Sequence, residues 1–359
     1  MKLSADQMLS LYTFFKGIDD PRRAQGRKHH LANVLSLSAA AVLCGMRGYK
    51  DIALWVQSLS DLARSRFRCR KRNGRYEVPS RTVIRNALIG VDPQQLDQAL
   101  GVWNAQYGSV DESLAIDGKT MCNAIDDQDK QTNEIKVAAL MLDALAIKGK
   151  TITADALLTQ REFANYLVGR GANYHFTVKG NQSMLLDDLA THFHTAPKTA
   201  DFTHTGGGEH GRIEKRSIWV SATLNHYLDF PHVGQAFMIE RETIRKKTGQ
   251  VSREVVYGIT SIPVDQATPE QVLRDNRGHW SVESCHYIID WNYDEDRSQI
   301  RTGFGPENMT RLRRFAIGLL KSKQKKESIP EMMKKLMLNT RVVFDYLKMT
   351  RNSNPLSVT

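Results

Sequence analysis

The first part of the chain has apolar positions at helical spacing. Apolar side chains recur every three or four residues from Met8 to Phe15, and a long apolar run extends from Leu31 to Met46. That run contains three polar residues and is shorter than a membrane-spanning helix, so we predict a buried core helix. Ser80 precedes another amphipathic stretch and is expected to cap its first turn. We therefore predict an all-α domain over residues 1–105.

A different pattern begins near Asp111. Short apolar runs at 113–117, 150–155 and 174–178 predict three buried strands, and the stretches between and after them have helical periodicity. Strands that alternate with helices are typical of a parallel sheet. We therefore predict an α/β domain over residues 111–330.

A β-rich insertion is predicted within this domain, from about residue 195 to residue 268. Gly206–Gly208 lies in an expected loop at its start and lacks the Lys-Ser/Thr that follows in a phosphate-binding P-loop. Lys246–Gly249 is expected to be a hairpin turn. The alternating runs that predict antiparallel strands are 213–220, 235–245 and 254–260.

Helical periodicity returns after the insertion. We predict helices over 270–291 and 306–320, followed by a C-terminal tail over 331–359. The acidic group at 294–296 is expected to be solvated or to cap a helix. The basic surface is expected to include Arg301, Arg311, Arg313 and Arg314.

Charge adds a class of partner to this picture, because Lys and Arg number 50 against 39 Asp and Glu, a formal net charge of +11. Such an excess favours a polyanion, and nucleic acid is the first choice. The densest basic run lies between residues 64 and 75, where we expect a loop that binds the DNA backbone. Its candidate DNA-binding residues are Arg66, Arg68, Arg70, Lys71 and Arg72.

Cysteine usage excludes two other classes. The four cysteines are far apart and form no CxxC pair, which argues against a structural zinc site. No disulfide framework is indicated, which is typical of a reducing compartment. The first residues do not resemble a signal peptide, so we expect a cytoplasmic protein without a membrane segment.

Three carboxylates stand at positions suited to metal chemistry. Asp117 and Asp155 each follow an apolar strand-like run, and Glu283 lies in a helix-like stretch. The carboxyl ends of parallel strands meet at one edge of a sheet, which is where α/β proteins form their sites. Carboxylate oxygens are the ligands that Mg²⁺ prefers. We predict that these three residues hold divalent cations and are catalytic.

Other residues near these carboxylates are candidates for supporting roles. His279 and Trp280 are expected to pack around the site. An alternative assigns His279, Glu283 and His286, which share one helix face, to a transition-metal site. The candidate contacts to DNA here are Lys119, Lys179, Asn181 and Arg277.

Six ordered motifs together resemble a known family. The chain has Ile-Asp-Gly-Lys-Thr at 116–120, Asn-Glu-Ile at 133–135, Lys-Gly-x-x-Ile-Thr-x-Asp-Ala at 148–156, Tyr-x-Phe-x-Val-Lys-Gly-Asn-Gln at 174–182, His-Trp-x-x-Glu at 279–283 and Asp-Glu-Asp at 294–296. Asp-Pro-Arg-Arg at 20–23 and Pro-Ser-Arg-Thr at 79–82 add to the likeness. In these motifs the chain resembles the H-repeat-associated transposases of bacterial insertion sequences, which are members of the DDE superfamily.

The resemblance implies a fold and an activity. It implies an RNase-H-like core in which Asp117, Asp155 and Glu283 bind two Mg²⁺ or Mn²⁺ ions. The implied function is a DNA transposase that cleaves the ends of an insertion sequence and transfers them to target DNA. The implied partners are those two DNA segments and, in the synaptic state, further copies of the same chain.

One departure from the family pattern leaves alternatives open. Asp155 follows Asp117 by 38 positions, which the loop, helix and second strand nearly fill. A two-stranded hairpin needs about 15 residues more, so the hairpin that the family places after the first strand is expected to be missing. The Asp117 strand would then lie at an edge of a truncated sheet. The alternatives are an inactive DNA-binding remnant or a nuclease without strand transfer.

Overall fold

The computed structural model describes residues 9–106, 113–116, 138–139, 142–143, 147–195, 199–206 and 211–350, with backbone alone at 113–116 and 280–285. Contacts divide the chain into two compact units. The first unit comprises residues 1–110 and 285–359, and the second comprises residues 111–284. The sequence-based domains place residues 285–330 with the α/β region, whereas the contacts of these residues place them in the helical unit.

The described part of the first unit is helical apart from one small hairpin. Its core combines side chains from the start and the end of the chain. The helices are α1 (Leu11–Phe15), α2 (Leu31–Leu43), α3 (Tyr49–Ser58), α4 (Asp61–Arg66), α5 (Arg81–Gly90) and α6 (Pro93–Ala105), then the last part of α9 (Pro269–Tyr293), α10 (Gly305–Lys323), α11 (Ile329–Leu338) and α12 (Thr340–Tyr346).

Helix α2 is the centre of this unit, as predicted. All 13 of its residues are buried, and it contains no charged side chain. Two of its polar side chains have partners within the unit: the Ser38 hydroxyl donates to the Val34 carbonyl at 2.8 Å, and Asn33 donates to the Arg68 carbonyl. Buried aliphatic side chains such as Leu35 and Leu37 each contribute about 1.5–3 kcal/mol to folding. The apolar run is therefore a core helix.

The basic run between residues 64 and 75 is more ordered than we predicted. It contains the strands β1 (Lys71–Arg72) and β2 (Arg75–Tyr76), which pair antiparallel. Asn73 and Gly74 join the strands with φ values of 48° and 79°. Asn-Gly is the sequence that a two-residue hairpin with two positive φ angles favours. The expected loop is therefore a tight hairpin that presents basic side chains.

Helix α5 begins as the sequence predicts. The Ser80 side chain accepts a hydrogen bond from the Val83 amide at 3.4 Å, and the helix starts at Arg81. At the other end, Asn308 of α10 is fully buried and donates to the carbonyls of Leu88 and Val91, both at 2.8 Å. These bonds satisfy carbonyls that a helix end leaves without partners. The capped helix is thereby joined to the C-terminal part of the unit.

The described part of the second unit is a mixed seven-stranded sheet with helices. The strands lie in the order β3-β4-β5-β9-β8-β7-β6. Strands β3, β4 and β5 are parallel, and the remaining neighbours are antiparallel. The elements are β3 (Ser113–Ile116), β4 (Thr151–Ala154), α7 (Arg161–Gly169), β5 (Asn173–Val178), α8 (Ser183–His194), β6 (Phe202–Gly206), β7 (Arg212–Ser221), β8 (Gln235–Arg245), β9 (Val251–Thr260) and the first part of α9.

This sheet confirms the α/β class and the antiparallel character of the insertion. The turn at Lys246–Gly249 joins β8 to β9, as predicted. Thr203–Gly206, which we expected to lie in a loop, instead belongs to strand β6, which pairs with β7. Its side chains alternate between exposed and half-buried positions, so it lacks the strong apolar pattern of an inner strand.

The segment expected to be a C-terminal tail also contains regular structure. Helix α11 buries Ile329, Met332, Met333 and Leu336, which recur at intervals of three and four residues. These side chains belong to the core of the first unit. The helical periodicity was present in the sequence, but it is short and lies among lysines.

Candidate active site at the ends of the parallel strands

Three parallel strands of the second unit end side by side. Ile116 is paired with Ala154, and Ala154 is paired with Phe176. Asp155 is the next residue after β4, and Asp117 is the next residue after β3 in the sequence. Asp117 and Lys119 themselves lie outside the described residues. The predicted parallel pairing of these strands is confirmed. Their carboxyl ends form the edge of the sheet where α/β proteins place their sites.

Asp155 is half-buried and holds the turn that follows β4. Its Oδ1 atom accepts hydrogen bonds from the backbone amides of Leu157 at 3.1 Å and Leu158 at 3.4 Å. These bonds begin the short 3-10 turn at Ala156–Leu158. They orient the carboxylate. Both bonds are accepted by Oδ1, and neither involves Oδ2.

The turn after β5 is fastened to the turn after β4. Asn181 donates to the Ala156 carbonyl at 2.5 Å, and Gln182 donates to the Thr159 carbonyl at 3.0 Å. The buried Thr159 hydroxyl donates to the Thr177 carbonyl at 2.8 Å. Asn181, which we expected to contact DNA, therefore supports the backbone beside Asp155 in this structure. The neighbouring Lys179 is exposed.

Helix α9 reaches this part of the sheet through His279. The His279 Nδ1 atom and the Thr153 Oγ1 atom are 3.4 Å apart, and both side chains are buried. Thr153 precedes Asp155 by two residues, so the two side chains project from the same face of the strand by the alternation of β structure. Glu283 follows His279 by one helical turn. The side chains of Trp280 and Glu283 lie outside the described residues. Glu283 is also one of the three ligands of the alternative transition-metal site, so the structure describes that site only in part.

His175 is a buried polar residue that we did not predict. It lies on β5 opposite Thr153 of β4, is 2% exposed and stacks on Phe237 with ring centroids 4.6 Å apart. Its Nε2 atom is buried without a hydrogen-bond partner in the described structure. Burial, aided by the charge of nearby His279, lowers the pKa of His175 to about 3. The sequence around His175 does not show whether the histidine is buried or lies on the surface, so the burial could not be predicted from it.

Arg277 lines a cavity of about 260 Å³ in the second unit. The cavity is also lined by Arg216 and Arg241, with Glu254 as a carboxylate at its wall. Arg277 is exposed, and its guanidinium lies 3.4 Å from the ring of His204. Its surroundings are therefore basic, as a contact to a phosphate requires.

The predicted DNA-binding residues of the first unit are grouped at the β1–β2 hairpin. Arg70, Lys71 and Arg72 are exposed, whereas Arg66 is half-buried in α4. The guanidinium of Arg68 lies 4.4 Å from the ring centroid of Tyr12. Arg70 and Arg72 each lie 3.9 Å from a Glu77 oxygen, which is a weak, exposed ion pair. The basic surface is therefore only slightly neutralised.

One expected member of the basic surface is instead a core residue. Arg313 is 2% exposed and forms a 3.0 Å ion pair with buried Glu295. The Thr310 hydroxyl donates to the same Glu295 oxygen at 2.8 Å, and Arg313 donates to the Arg47 carbonyl at 2.9 Å. The expectation of a surface arginine and a solvated glutamate was wrong, because each residue satisfies the buried charge of the other.

The described side chains do not by themselves complete a metal site. Within the ranges that the structure describes, no three His, Cys, Asp or Glu side chains come together in a group that could hold an ion. Asp117 and the Glu283 side chain are outside those ranges. The oxygen donor of Asp155 suits a hard divalent cation. Among the described helices, none combines the length and apolar character that crossing a bilayer requires.

The fold and the comparisons with known proteins together define the class of this protein. The chain combines a helical unit with a mixed α/β unit whose parallel strands precede two aspartates. The family model described as "Transposase DDE domain" matches residues 106–319, and the model described as "DDE_Tnp_1-associated" matches residues 12–104. The chain therefore belongs to the family of transposases with a DDE domain.

Similar proteins match this chain across most of their own length. A protein from the dhlA 3′ region of Xanthobacter autotrophicus is 31% identical over 295 residues, which cover 70% of this chain and 94% of that protein. YncI of Escherichia coli O157:H7, named as a candidate transposase, is 26% identical over 94% of both chains. YhhI of Escherichia coli K12, named as a candidate H repeat-associated transposase, is 26% identical over 84% of this chain and 88% of its own.

A solved structure shows a more distant likeness. In the synaptic complex of the piggyBac transposase with hairpin DNA, the match covers 94% of this chain and 80% of that chain. The sequence identity is 10% and the TM-score is 0.37.

Proposed function

We propose that this transposase cleaves DNA and transfers strands by metal-dependent chemistry at Asp117, Asp155 and Glu283. The observation that carries the proposal is the register of β3 and β4, whose last pair is Ile116 with Ala154. The next residue on each strand is an aspartate. Neighbouring strands lie about 4.8 Å apart, so carboxylates at equivalent positions are within reach of a shared ion.

The position of helix α9 supports the third carboxylate. His279 contacts Thr153, on the strand that ends at Asp155, and Glu283 lies one turn further along the helix. A rise of about 5.4 Å per turn is comparable to the two-residue advance of about 6.6 Å from Thr153 to Asp155. We assign His279 and Trp280 to the packing of this helix beside the site.

The residues present fit a divalent metal. When bound, two Mg²⁺ or Mn²⁺ ions would supply activation of the attacking oxygen and stabilisation of the leaving oxygen. The Asp155 carboxylate is oriented through Oδ1 by two backbone amides, and these bonds leave Oδ2 able to act as a ligand. Asn181 stabilises this orientation by holding the Ala156 carbonyl.

We also propose an RNase-H-like catalytic domain that begins at residue 111 and includes the sheet of the second unit, and a helical DNA-associated domain over residues 1–105. The parallel β3-β4-β5 order supports the fold. The proposed core lacks the family hairpin, because the 38 positions from Asp117 to Asp155 leave little room for it. The β-rich insertion would supply the antiparallel strands beside β5.

The proposed substrate is the phosphodiester backbone of element ends and target DNA. Lys179 and Arg277 are exposed basic residues of the second unit, and Lys119 is the corresponding candidate beside Asp117. The β1–β2 hairpin and its neighbours present the remaining basic side chains. Because two element ends must be held together for transfer, we propose a homo-oligomer in the synaptic state.

The experiment that tests this function compares Asp155→Asn with the parent chain in nicking of supercoiled plasmid with Mg²⁺. We expect the variant to bind DNA normally but to lose cleavage, because a neutral amide is a poorer ligand for a hard cation. Asp201→Asn is a matched control, since Asp201 is exposed in the same unit and accepts from the Val220 amide at 2.8 Å. Equal cleavage by Asp155→Asn and the parent would show that the assignment is wrong.

The same assay separates the alternatives. Cleavage without joining to a target plasmid would indicate a nuclease without strand transfer. DNA binding without cleavage by the parent chain in Mg²⁺ or Mn²⁺ would indicate an inactive remnant. Asp117→Asn and Glu283→Gln are expected to behave like Asp155→Asn.

A further inference from the structure

The first unit contains a basic cavity that none of the predicted DNA-binding residues lines. Its volume is about 440 Å³, within the range of about 300–1,000 Å³ typical of ligand sites. It is formed by the starts of α3 and α5 and by the segment from Tyr293 to Thr302. Its cationic lining includes Arg47, Lys50, Arg81, Arg85, Arg297 and Arg301.

These cations are only partly neutralised. The carboxylates that line the cavity are Asp51 and Asp294. Asp294 lies 3.8 Å from Arg47 and 3.7 Å from Arg297, and both ion pairs are exposed. Exposed pairs at such distances contribute little. Buried Arg313 also lines the cavity, but Glu295 satisfies its charge.

Two of the cations are available to a ligand. Lys50 and Arg81 are exposed, and neither has an ion-pair partner among the residues that the structure describes. Arg85 is half-buried and donates to the Thr302 hydroxyl at 3.4 Å, which holds its guanidinium at the wall. The cavity therefore presents both fixed and mobile donors to an anion.

The backbone and one buried hydroxyl add to these donors. Helix α3 begins at Tyr49, and its N-cap residue, Gly48, offers no side chain to the amides of the first turn. Such amides, with the helix dipole, favour an anion. The Tyr49 hydroxyl is buried without a hydrogen-bond partner in the described structure, and the residue is 9% exposed. Burial raises the pKa of Tyr49, so its hydroxyl remains a donor.

We propose that this cavity binds a phosphodiester group of the DNA backbone. The excess of cations selects an anion, and the unpartnered Tyr49 donor inside a cationic wall matches a phosphate oxygen. The volume exceeds that needed for one small ion and suits a nucleotide segment of a longer strand. This inference rests on the proposed function and extends it with a second DNA-binding site, formed by residues other than those of the β1–β2 hairpin and the three carboxylates.

The test measures DNA affinity in EDTA, where cleavage cannot contribute. Fluorescence anisotropy with a labelled duplex, at several salt concentrations, compares the full chain with Lys50→Glu/Arg81→Glu. Each phosphate contact contributes a factor of about eight in affinity at 0.1 M salt. We expect the double variant to raise Kd by roughly 60-fold and to reduce the salt slope by about two. Tyr49→Phe is expected to raise Kd by roughly ten-fold without a change in slope.

The matched control is Lys334→Glu/Arg341→Glu. Both residues are exposed in the same unit, and the change in net charge is identical. The control is expected to weaken binding by a few-fold at most, and circular dichroism should show that both double variants are folded. Equal affinities of the cavity variant and the control would overturn the proposal.

Two further outcomes identify what has failed. A cavity variant that binds DNA like the control but loses stabilisation by inorganic phosphate would assign the cavity to a free phosphate and overturn the DNA assignment. A parent chain that does not bind duplex DNA would overturn the proposed function together with this inference. Loss of cleavage in Asp155→Asn with normal DNA affinity would not contradict the cavity proposal. The nicking assay tests the carboxylates, whereas DNA affinity in EDTA tests the cavity.

Discussion

The buried imidazole of His175 should make the second unit sensitive to acid. The residue is 2% exposed, and burial lowers its pKa from 6.5 to about 3. Between these two values the unfolded chain binds a proton at this position and the folded chain does not. The stability that results is fully present above about pH 6.5 and is lost as the pH falls towards 3.

The size of this effect follows from the two pKa values. Lowering the pH from 7 to 5 stabilises the unfolded state through this imidazole by about 2 kcal/mol, whereas the folded state gains almost nothing. Replacing His175 with Phe removes the titrating group and keeps an aromatic ring beside Phe237. The loss of unfolding free energy between pH 7 and pH 5 should therefore be about 2 kcal/mol smaller in the variant than in the parent.

Urea unfolding followed by far-ultraviolet circular dichroism at both pH values measures this difference. His175→Gln is a second variant that keeps a polar side chain without titration, in case the larger ring disturbs β5. His226→Gln, at an exposed position in the same unit, controls for the loss of any histidine. A variant with the same pH dependence as the parent would refute the reasoning, because the imidazole would then be protonated equally in both states.

Two other predictions concern packing. Arg313→Met should reduce the unfolding free energy by about 3–5 kcal/mol in a thermal unfolding experiment, because it leaves the carboxylate of Glu295 buried without its ion-pair partner. Arg314 is exposed, so Arg314→Met should have little effect in the same experiment. Equal losses of stability in the two variants would contradict the role of the pair. Gly258→Ala should cost about 1–3 kcal/mol, since its Cβ atom would lie 2.6 Å from the Phe176 carbonyl oxygen and would meet the Phe237 ring. Gly169→Ala, whose Cβ atom meets nothing within 4 Å, is the control, and a comparable loss there would show that the clash is relieved.

The elements that the sequence predicts well have strong local signals. The apolar run of α2, the Ser80 cap and the apolar strands β4 and β5 are each specified by neighbouring residues. The order of those strands follows from the intervening helix, since parallel neighbours need a long crossover. Local chemistry was sufficient for these parts of the fold.

The elements that we missed depend on distant contacts or on weak patterns. The β1–β2 hairpin has only two residues in each strand, and its basic composition obscured the Asn73-Gly74 turn signal. Strand β6 has a polar, half-exposed pattern, and its partner β7 specifies it. The Arg313–Glu295 pair is buried because helix α10 packs into the core of the first unit, a fact that no local pattern contains.

The candidate site likewise depends partly on local sequence and partly on contacts between distant segments. The sequence identifies which carboxylates follow strands, but the register of those strands decides whether the carboxylates meet. Among the described strands, β3 pairs only with β4, over four residues. A slip of one residue would shift the residue after β3 by about 3.3 Å and would move its side chain to the opposite face. Strand β4 is held from the other side by β5, and the Asn181 bond holds the turn after it. The half of the candidate site at Asp155 is therefore positioned by several independent contacts.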